Sequence, residues 1–465
     1  MQRGEIPRDA RIVVVGAGAA GLCVAWYLKQ AGFHRVQVLE KSARLGGKCR
    51  SLTVGGQSFD LGANYITSAY KRVRALAAHV GAGMYTEKAG HVIDVQTGQM
   101  RSILSQVLRH TSIFTLGWQS LRYAIKRWRL RRLLSPVAPG FAHVQAHPEL
   151  HGNFEDWLNR HRLGALIPIF EIPLTLMGYG KLRDIATVYA LTYMSLGSFM
   201  DLAMFAANFP LRSWPKRFNQ GYGRMFERLA AEVDVLTGVD IQTIIRPDDR
   251  TEGQHGADDT ITVRYRLREQ QLEHQTSEDI TRHYDYLILA CPQLPALLNK
   301  FIKLTDTEQL LFDQVLINPF YVTAYNAPGT ERVAAVTFSL PEPELGQPYV
   351  VTRQFPENDF ISVYTRGDAT QQITRAQVEA HNAIFLRKIG AVDPERHDFI
   401  CDDWAYFPHV SPAAVDEGFY TKLDDLQGEK RTFYCGGLLA FELVETIAEQ
   451  AHHLVDTHFS GGPKP

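Results

Sequence analysis

Hydrophobic and polar positions alternate with a clear rhythm in the first forty residues. A β-branched run, Ile12–Val15, passes through small residues into an alanine- and leucine-rich stretch that reaches about Leu28. Four apolar residues stopped by glycine read as a buried strand, and the longer stretch reads as a helix. Val36–Leu39 repeats the strand pattern and ends in Glu40. Strand, helix and strand in this order predict a βαβ unit of a parallel sheet. Residues 71–219 then read mainly as helix, with long apolar periodicity near 103–134, 153–162 and 184–206. From 220 to 300 the pattern changes. Gly221-Tyr222-Gly223 opens a helix over Met225–Val233, Val239-Asp240-Ile241 is a strand, and a charged hairpin covers about 260–285. Tyr286–Ala290 is a buried-type strand that runs into Cys291-Pro292. Strands are predicted at Tyr321–Tyr325, Ala334–Phe338, Tyr349–Thr352 and Ile361–Tyr364, and a helix at about 375–389. Near the end, Arg431–Cys435 is a strand closing on Gly436-Gly437, with a helix from Val444 to His458.

The turn inside the first βαβ unit carries chemistry. Gly16-Ala17-Gly18-Ala19-Ala20-Gly21 has the GxGxxG spacing, and Glu40 lies 19 positions after Gly21. In such a unit the first glycine permits the tight turn, and the second lets the backbone approach a pyrophosphate at the helix N-terminus. The third lets helix and strand pack closely, and the acid accepts bonds from ribose hydroxyls. The strand before, the helix after and the distance to the acid make this a dinucleotide-binding fingerprint. Arg44, Gly46, Gly47 and Lys48 follow, then Asp60, Leu61, Gly62, Ala63 and Asn64. Alone, a glycine pair between two cations reads as a surface turn with solvated charges. Behind a dinucleotide fingerprint it suits a backbone loop lying on phosphates.

Together these blocks resemble the extended FAD signature of the flavin amine oxidase superfamily. The resemblance implies an α/β fold: a GR2-type FAD-binding, Rossmann-like domain interleaved with an α+β substrate domain. The FAD domain would comprise 8–70, 220–300 and 401–460. The substrate domain would comprise 71–219 and 301–400, with a largely helical part at 103–206 and an antiparallel sheet facing the flavin. The implied FAD contacts are Gly16, Gly18, Ala19, Ala20, Gly21, Glu40, Lys41, Arg44, Gly46, Gly47, Lys48, Gly62, Ala63, Asn64, Val239, Cys291, Gly436, Gly437 and Val444. The family carries an acid after the first glycine of the late strand–glycine–helix unit. Here that position is Gly437.

One branch of the superfamily matches over nearly the whole chain: the bacterial polyenoic fatty acid double-bond isomerases. The similar blocks include Ala31–His34, Gly46–Cys49, Gly178-Tyr179-Gly180, the Tyr189…Tyr193 segment, Met225-Phe226-Glu227 and Tyr406–Val410. This resemblance implies hydride exchange between flavin N5 and an elongated apolar acyl or polyene substrate, by isomerisation or desaturation. A tunnel for it would be lined by Tyr193, Met194, Leu196 and Phe199 on one helix, with Trp404 and Tyr406 as an aromatic wall. Core packing accounts for the helix residues equally well. The family's carboxylate-binding arginine is replaced locally by Lys88. A flavin amine oxidase, producing peroxide, is the alternative enzyme. It needs two aromatics before the flavin; the aligned positions are Asp403 or Trp404, and Leu443, so Trp404 and Tyr406 supply one wall only. The non-enzymatic alternative is a flavin-binding scaffold or membrane-surface interaction protein.

Bulk properties narrow the partners. The net charge is −1, which favours neither nucleic acid nor a membrane globally. The five cysteines form no CxxC pair and no metal spacing, which fits a reducing compartment and no metal site. The apolar run Ile12–Leu28 imitates a signal peptide, but the fingerprint explains it better, so the chain reads as cytoplasmic. A second nucleotide fingerprint is absent. One segment stands apart: Arg122, Lys126, Arg127, Arg129, Arg131 and Arg132 lie on a predicted helix between Trp118 and Leu134 with apolar residues interleaved. This Arg122–Arg132 run reads as a solvated face, as contact with a membrane surface, or as contact with an acidic carrier of an acyl group.

Overall fold

The computed structural model describes residues 6–460, apart from 89, 95, 135–139, 210, 212, 250–259, 269–278, 334, 368–372 and 397–401. Strands Ile12–Val15 and Val36–Leu39 stand where the sequence predicts them. They lie in a five-stranded parallel sheet ordered Thr432–Tyr434, Tyr286–Leu289, Ile12–Val15, Val36–Leu39, Asp234–Leu236. Ile12–Val15 and Tyr286–Leu289 are almost fully buried, as expected for a sheet covered on both faces. The first helix, Ala19–Gln30, and the last, Val444–His458, pack on each other along this sheet. The first strand has parallel neighbours on both sides, so the strand order reverses there, which opens a crevice at the carboxyl ends of the strands.

An antiparallel three-stranded sheet follows the first domain's edge: Val239–Ile245, Ile261–Leu267 and Ile280–Tyr284. The tip of the expected 260–285 hairpin lies outside the described residues. The rest of the molecule is built on an eight-stranded sheet. Its centre is Leu316–Asn326, Phe360–Arg366, Pro348–Thr352 and Val336–Leu340. Ala334, at the start of one predicted strand, lies outside the described residues.

Three differences from the sequence reading matter. First, residues 71–219 are not simply helical. Met84–Thr86 pairs with Lys216–Phe218, and Gly90–Asp94 and Met100–Ser102 extend the eight-stranded sheet, the former pairing parallel to Val336–Leu340. Strands of three to five residues are too short for a period to register in sequence. Second, Asp402–His409 pairs with Leu316–Asn326, so this segment, grouped above with the FAD domain, belongs to the eight-stranded sheet. Third, the predicted helix through Tyr189–Phe199 breaks. Thr187–Tyr193 and Leu196–Ala206 meet at 70°. Met194 leaves helical geometry, and Ser195 caps the second helix by accepting a bond from the Ser198 amide.

Candidate functional site

A cavity of about 650 Å³ follows the crevice, a size suited to a bound small molecule. Its floor is the turn Gly16–Gly18 and the start of the first helix at Ala19 and Ala20. That helix has no side-chain cap and no acid in its first turn. Its leading amides are therefore free for an anion. Gly18 and Gly46 form a backbone bridge, and a Cβ on Gly18 would meet nothing nearer than the Gly47 Cα at 3.9 Å. The two glycine loops thus leave an open cradle between them. Gly21 acts differently: a Cβ there would lie 1.8 Å from the Gly16 carbonyl oxygen. It is a packing glycine and does not line the cavity.

Glu40 is pinned by two backbone donors. The Ala17 amide reaches Oε2 at 2.7 Å and the Ser42 amide reaches Oε1 at 2.9 Å. A carboxylate accepts about four bonds, so capacity for ribose hydroxyls remains. Glu40, Lys41, Val239, Asp240, Arg268, Cys291 and Lys300 line this part of the cavity. Burial pushes the Cys291 thiol up to about 12, so it is not a nucleophile there. Gly46, Gly47, Lys48, Gly62, Ala63, Asn64, Gly436, Gly437 and Val444 line it as well. Arg44 does not. Its guanidinium donates to the Gly47 carbonyl at 2.7 Å and so stiffens the loop from outside.

Beside Gly437 stands Glu442, whose Cβ is 3.2 Å from where a Gly437 Cβ would be. Glu442 pairs with Lys48 and accepts the Phe407 amide. The family's missing acid thus has a carboxylate neighbour five positions later, a residue the sequence reading passed over.

The rest of the cavity is aromatic. Tyr65, Tyr70, Tyr179, Tyr193, Phe320, Tyr364, Trp404 and Tyr406 line it, with Met177 and Leu443. Tyr406 stacks on Phe320 with ring centroids 5.1 Å apart. Tyr179 lies 5.2 Å from Tyr406 and 4.7 Å from Phe441, and its hydroxyl donates to the Glu442 carbonyl at 3.1 Å. Burial holds the hydroxyls of Tyr70, Tyr179, Tyr193 and Tyr406 well above the ordinary tyrosine value, so they stay neutral. No histidine or serine is among the lining residues.

Of the expected tunnel residues, Tyr193, Trp404 and Tyr406 line the cavity. Met194, Leu196 and Phe199 do not, because the helix break turns them away; Met194 and Phe199 are core. Lys88 is exposed and outside the cavity. The cation behind this wall is Arg217, fully buried, paired with Glu87 and donating to the Tyr65 hydroxyl at 3.0 Å. The strand Lys216–Phe218, unseen in the sequence, delivers it. Tyr65, Tyr70, Tyr179, Phe320 and Tyr364 were likewise not singled out as lining residues. Only Tyr179, inside Gly178-Tyr179-Gly180, had a local signal.

Comparison with known proteins agrees with this geometry. The family model described as flavin containing amine oxidoreductase matches residues 19–436. Protoporphyrinogen oxidase 2 of Arabidopsis thaliana is 44% identical over 77 residues, 17% of this chain and 15% of that protein. Putrescine oxidase of Kocuria rosea is 31% identical over 165 residues, 34% of this chain and 32% of that one. The matched segments span 15% and 32% of these two relatives. Among solved structures, the CLA-producing fatty acid isomerase from P. acnes superposes with a TM-score of 0.79 at 22% identity, covering 98% of this chain and 100% of that one. A putrescine oxidase bound to putrescine superposes at 0.63 with 16% identity, covering 96% and 97%. Likeness at these identities is likeness of fold. The cofactor is FAD, for which the glycine cradle, Glu40 and the crevice are fitted. The chain belongs to the flavin containing amine oxidoreductase family.

Proposed function

We propose that this protein exchanges hydride with an elongated apolar substrate, of fatty-acyl or polyene type, by double-bond isomerisation or desaturation. Bound FAD supplies the hydride acceptor; the chain supplies a dry aromatic chamber and holds the substrate in it. The observation that carries this reading is the contact between Tyr179 and Tyr406. Rings 5.2 Å apart touch each other and leave no slot for a substrate between them. Tyr179 and Tyr406 therefore form one wall, and Leu443, at the second position of the amine-oxidase pair, offers an aliphatic surface in place of an aromatic one. The lining tyrosines stay neutral, and the lysine and the carboxylate beside Tyr406, Lys48 and Glu442, neutralise each other. Such a chamber suits carbon chains better than ammonium groups. The name and fold of the fatty acid isomerase support the same class, as does a short match, 40% over 55 residues, to a 4,4'-diapophytoene desaturase of Methylomonas sp. Tyr65, with Arg217 behind it, is the polar end we assign to the acyl head group. A substrate of this kind arrives from a membrane or a carrier.

The amine oxidase reading keeps one support, the putrescine oxidase match. A pH profile separates the two. Asp60, buried beside the site and held up to about 6, titrates below the window used. From about pH 7 to 9 the tyrosines do not titrate, so turnover of a polyunsaturated fatty acid is expected to be flat. Tyr179→Phe and Tyr406→Phe should each lose less than about tenfold, since no proton passes through either hydroxyl. A rate rising with pH on amines, with peroxide formed, would reverse the assignment.

A further inference from the structure

We propose that the outer face of the helix Ile113–Arg129 docks on an anionic lipid bilayer. The inner face of this helix is fixed. Tyr123 is fully buried, its ring 4.7 Å from Phe199, and its hydroxyl donates to the Met194 carbonyl at 2.5 Å. Arg127 is buried too, and its Nε donates to the Leu191 carbonyl at 2.9 Å. This corrects the sequence picture of a continuous basic face, because Arg127 belongs to the core contact.

The opposite face is apolar and in solvent. Ile113, Phe114, Trp118, Leu121, Ile125 and Trp128 are 53, 85, 60, 53, 44 and 53% exposed. At one residue per 100° these six fall within an arc of about 140°. Among the described residues, nothing covers this outer apolar side. The chemistry around it selects the partner. From 95 to 148 the sequence has eight lysines and arginines and no aspartate or glutamate. Lys126, Arg129, Arg131 and Arg132 flank the apolar arc or follow it, and the Arg131 guanidinium lies over the Trp128 ring at 4.0 Å. Tryptophans and aliphatics outermost with cations at the margin is the arrangement of an interfacial helix that inserts its apolar face below anionic head groups. An acidic carrier would be met by cations at the centre of the face, not by Phe114 and Trp118. No single described helix is long and apolar enough to cross a membrane. The docked helix also sits close to the chamber. Leu191, which holds Arg127, is two residues from Tyr193 in the cavity wall.

The proposal rests on the proposed function only for why a bilayer holds the substrate. Vesicle binding is read without turnover, so either can fail alone. The experiment is flotation of the FAD-loaded protein with vesicles of phosphatidylcholine alone and with about 30% phosphatidylglycerol. The parent should float with the anionic vesicles at least tenfold more than with neutral ones, with a blue shift of tryptophan emission. Phe114→Ser, Trp118→Ser and Trp128→Ser combined should abolish flotation while circular dichroism and flavin content stay unchanged. Lys126→Glu, Arg129→Glu and Arg132→Glu combined should remove the anionic preference. The proposal is overturned if the triple serine variant floats like the parent, or if the parent floats with neither vesicle. It is equally overturned if an acidic acyl carrier binds this face in place of vesicles, or if the serine variant converts a dimer to a monomer.

Discussion

Gly18→Val is expected to give a folded, colourless protein. The Gly18 backbone has φ −74°, which any residue adopts, and a Cβ there meets no atom within 3.9 Å. The valine methyl groups would instead occupy the cradle between the two glycine loops, which would hold the pyrophosphate. FAD affinity should fall by more than about 100-fold, roughly the loss of several backbone hydrogen bonds to a charged group. Gly21→Val, three residues later, should behave in the opposite way. Its Cβ would overlap the Gly16 carbonyl, and soluble protein should be lost with the cofactor. Absorbance at the flavin band and thermal melting distinguish the two. A yellow Gly18→Val protein would mean that the cradle does not hold the dinucleotide.

The second large effect is expected at Glu87 and Arg217. Both side chains are within 1% of complete burial and are bound to each other. Removing one partner strands the other charge, a loss of about 3–5 kcal/mol. Glu87→Leu should therefore lower the denaturation midpoint strongly. Glu87→Leu with Arg217→Met removes both charges, and most of that stability should return, because the desolvation cost disappears with the pair. The double variant should still bind FAD. If Arg217 also serves the substrate head group through Tyr65, the double variant should bind a free fatty acid more weakly than the parent. A double-variant loss equal to the sum of the Glu87→Leu and Arg217→Met losses would show that the two side chains act independently.

How far the sequence reached depended on the range of the interaction. The FAD domain was legible because its signals are local. The strand Ile12–Val15, the glycine spacing and Glu40 fall within one βαβ unit, and Val444–His458 keeps its bounds. The chamber was legible only in part, because its residues arrive from seven separate segments. Trp404 and Tyr406 were visible beside a conspicuous aromatic run. Phe320, Tyr364 and Tyr65 look like ordinary core or loop residues until the sheet places them. Arg217 was hidden by a three-residue strand whose partner lies some 130 positions away. Met194 and Phe199 were misplaced because periodicity continues across the Ser195 cap, whereas the backbone turns by 70°. In the basic helix, charge was legible but direction was not, so Arg127 counted as surface when it is core.

On the proposed function, FAD in this cleft would exchange hydride with a carbon chain and not with an amine. The most direct test is the anaerobic flavin spectrum of the purified protein, recorded with a polyunsaturated fatty acid and, separately, with a diamine, with product analysis of both. Expected is a changed double-bond pattern in the fatty acid, with no net bleaching for isomerisation or lasting bleaching for desaturation, and no response to the diamine. Bleaching by the diamine with none by the fatty acid would contradict it, as would a flavin that responds to neither.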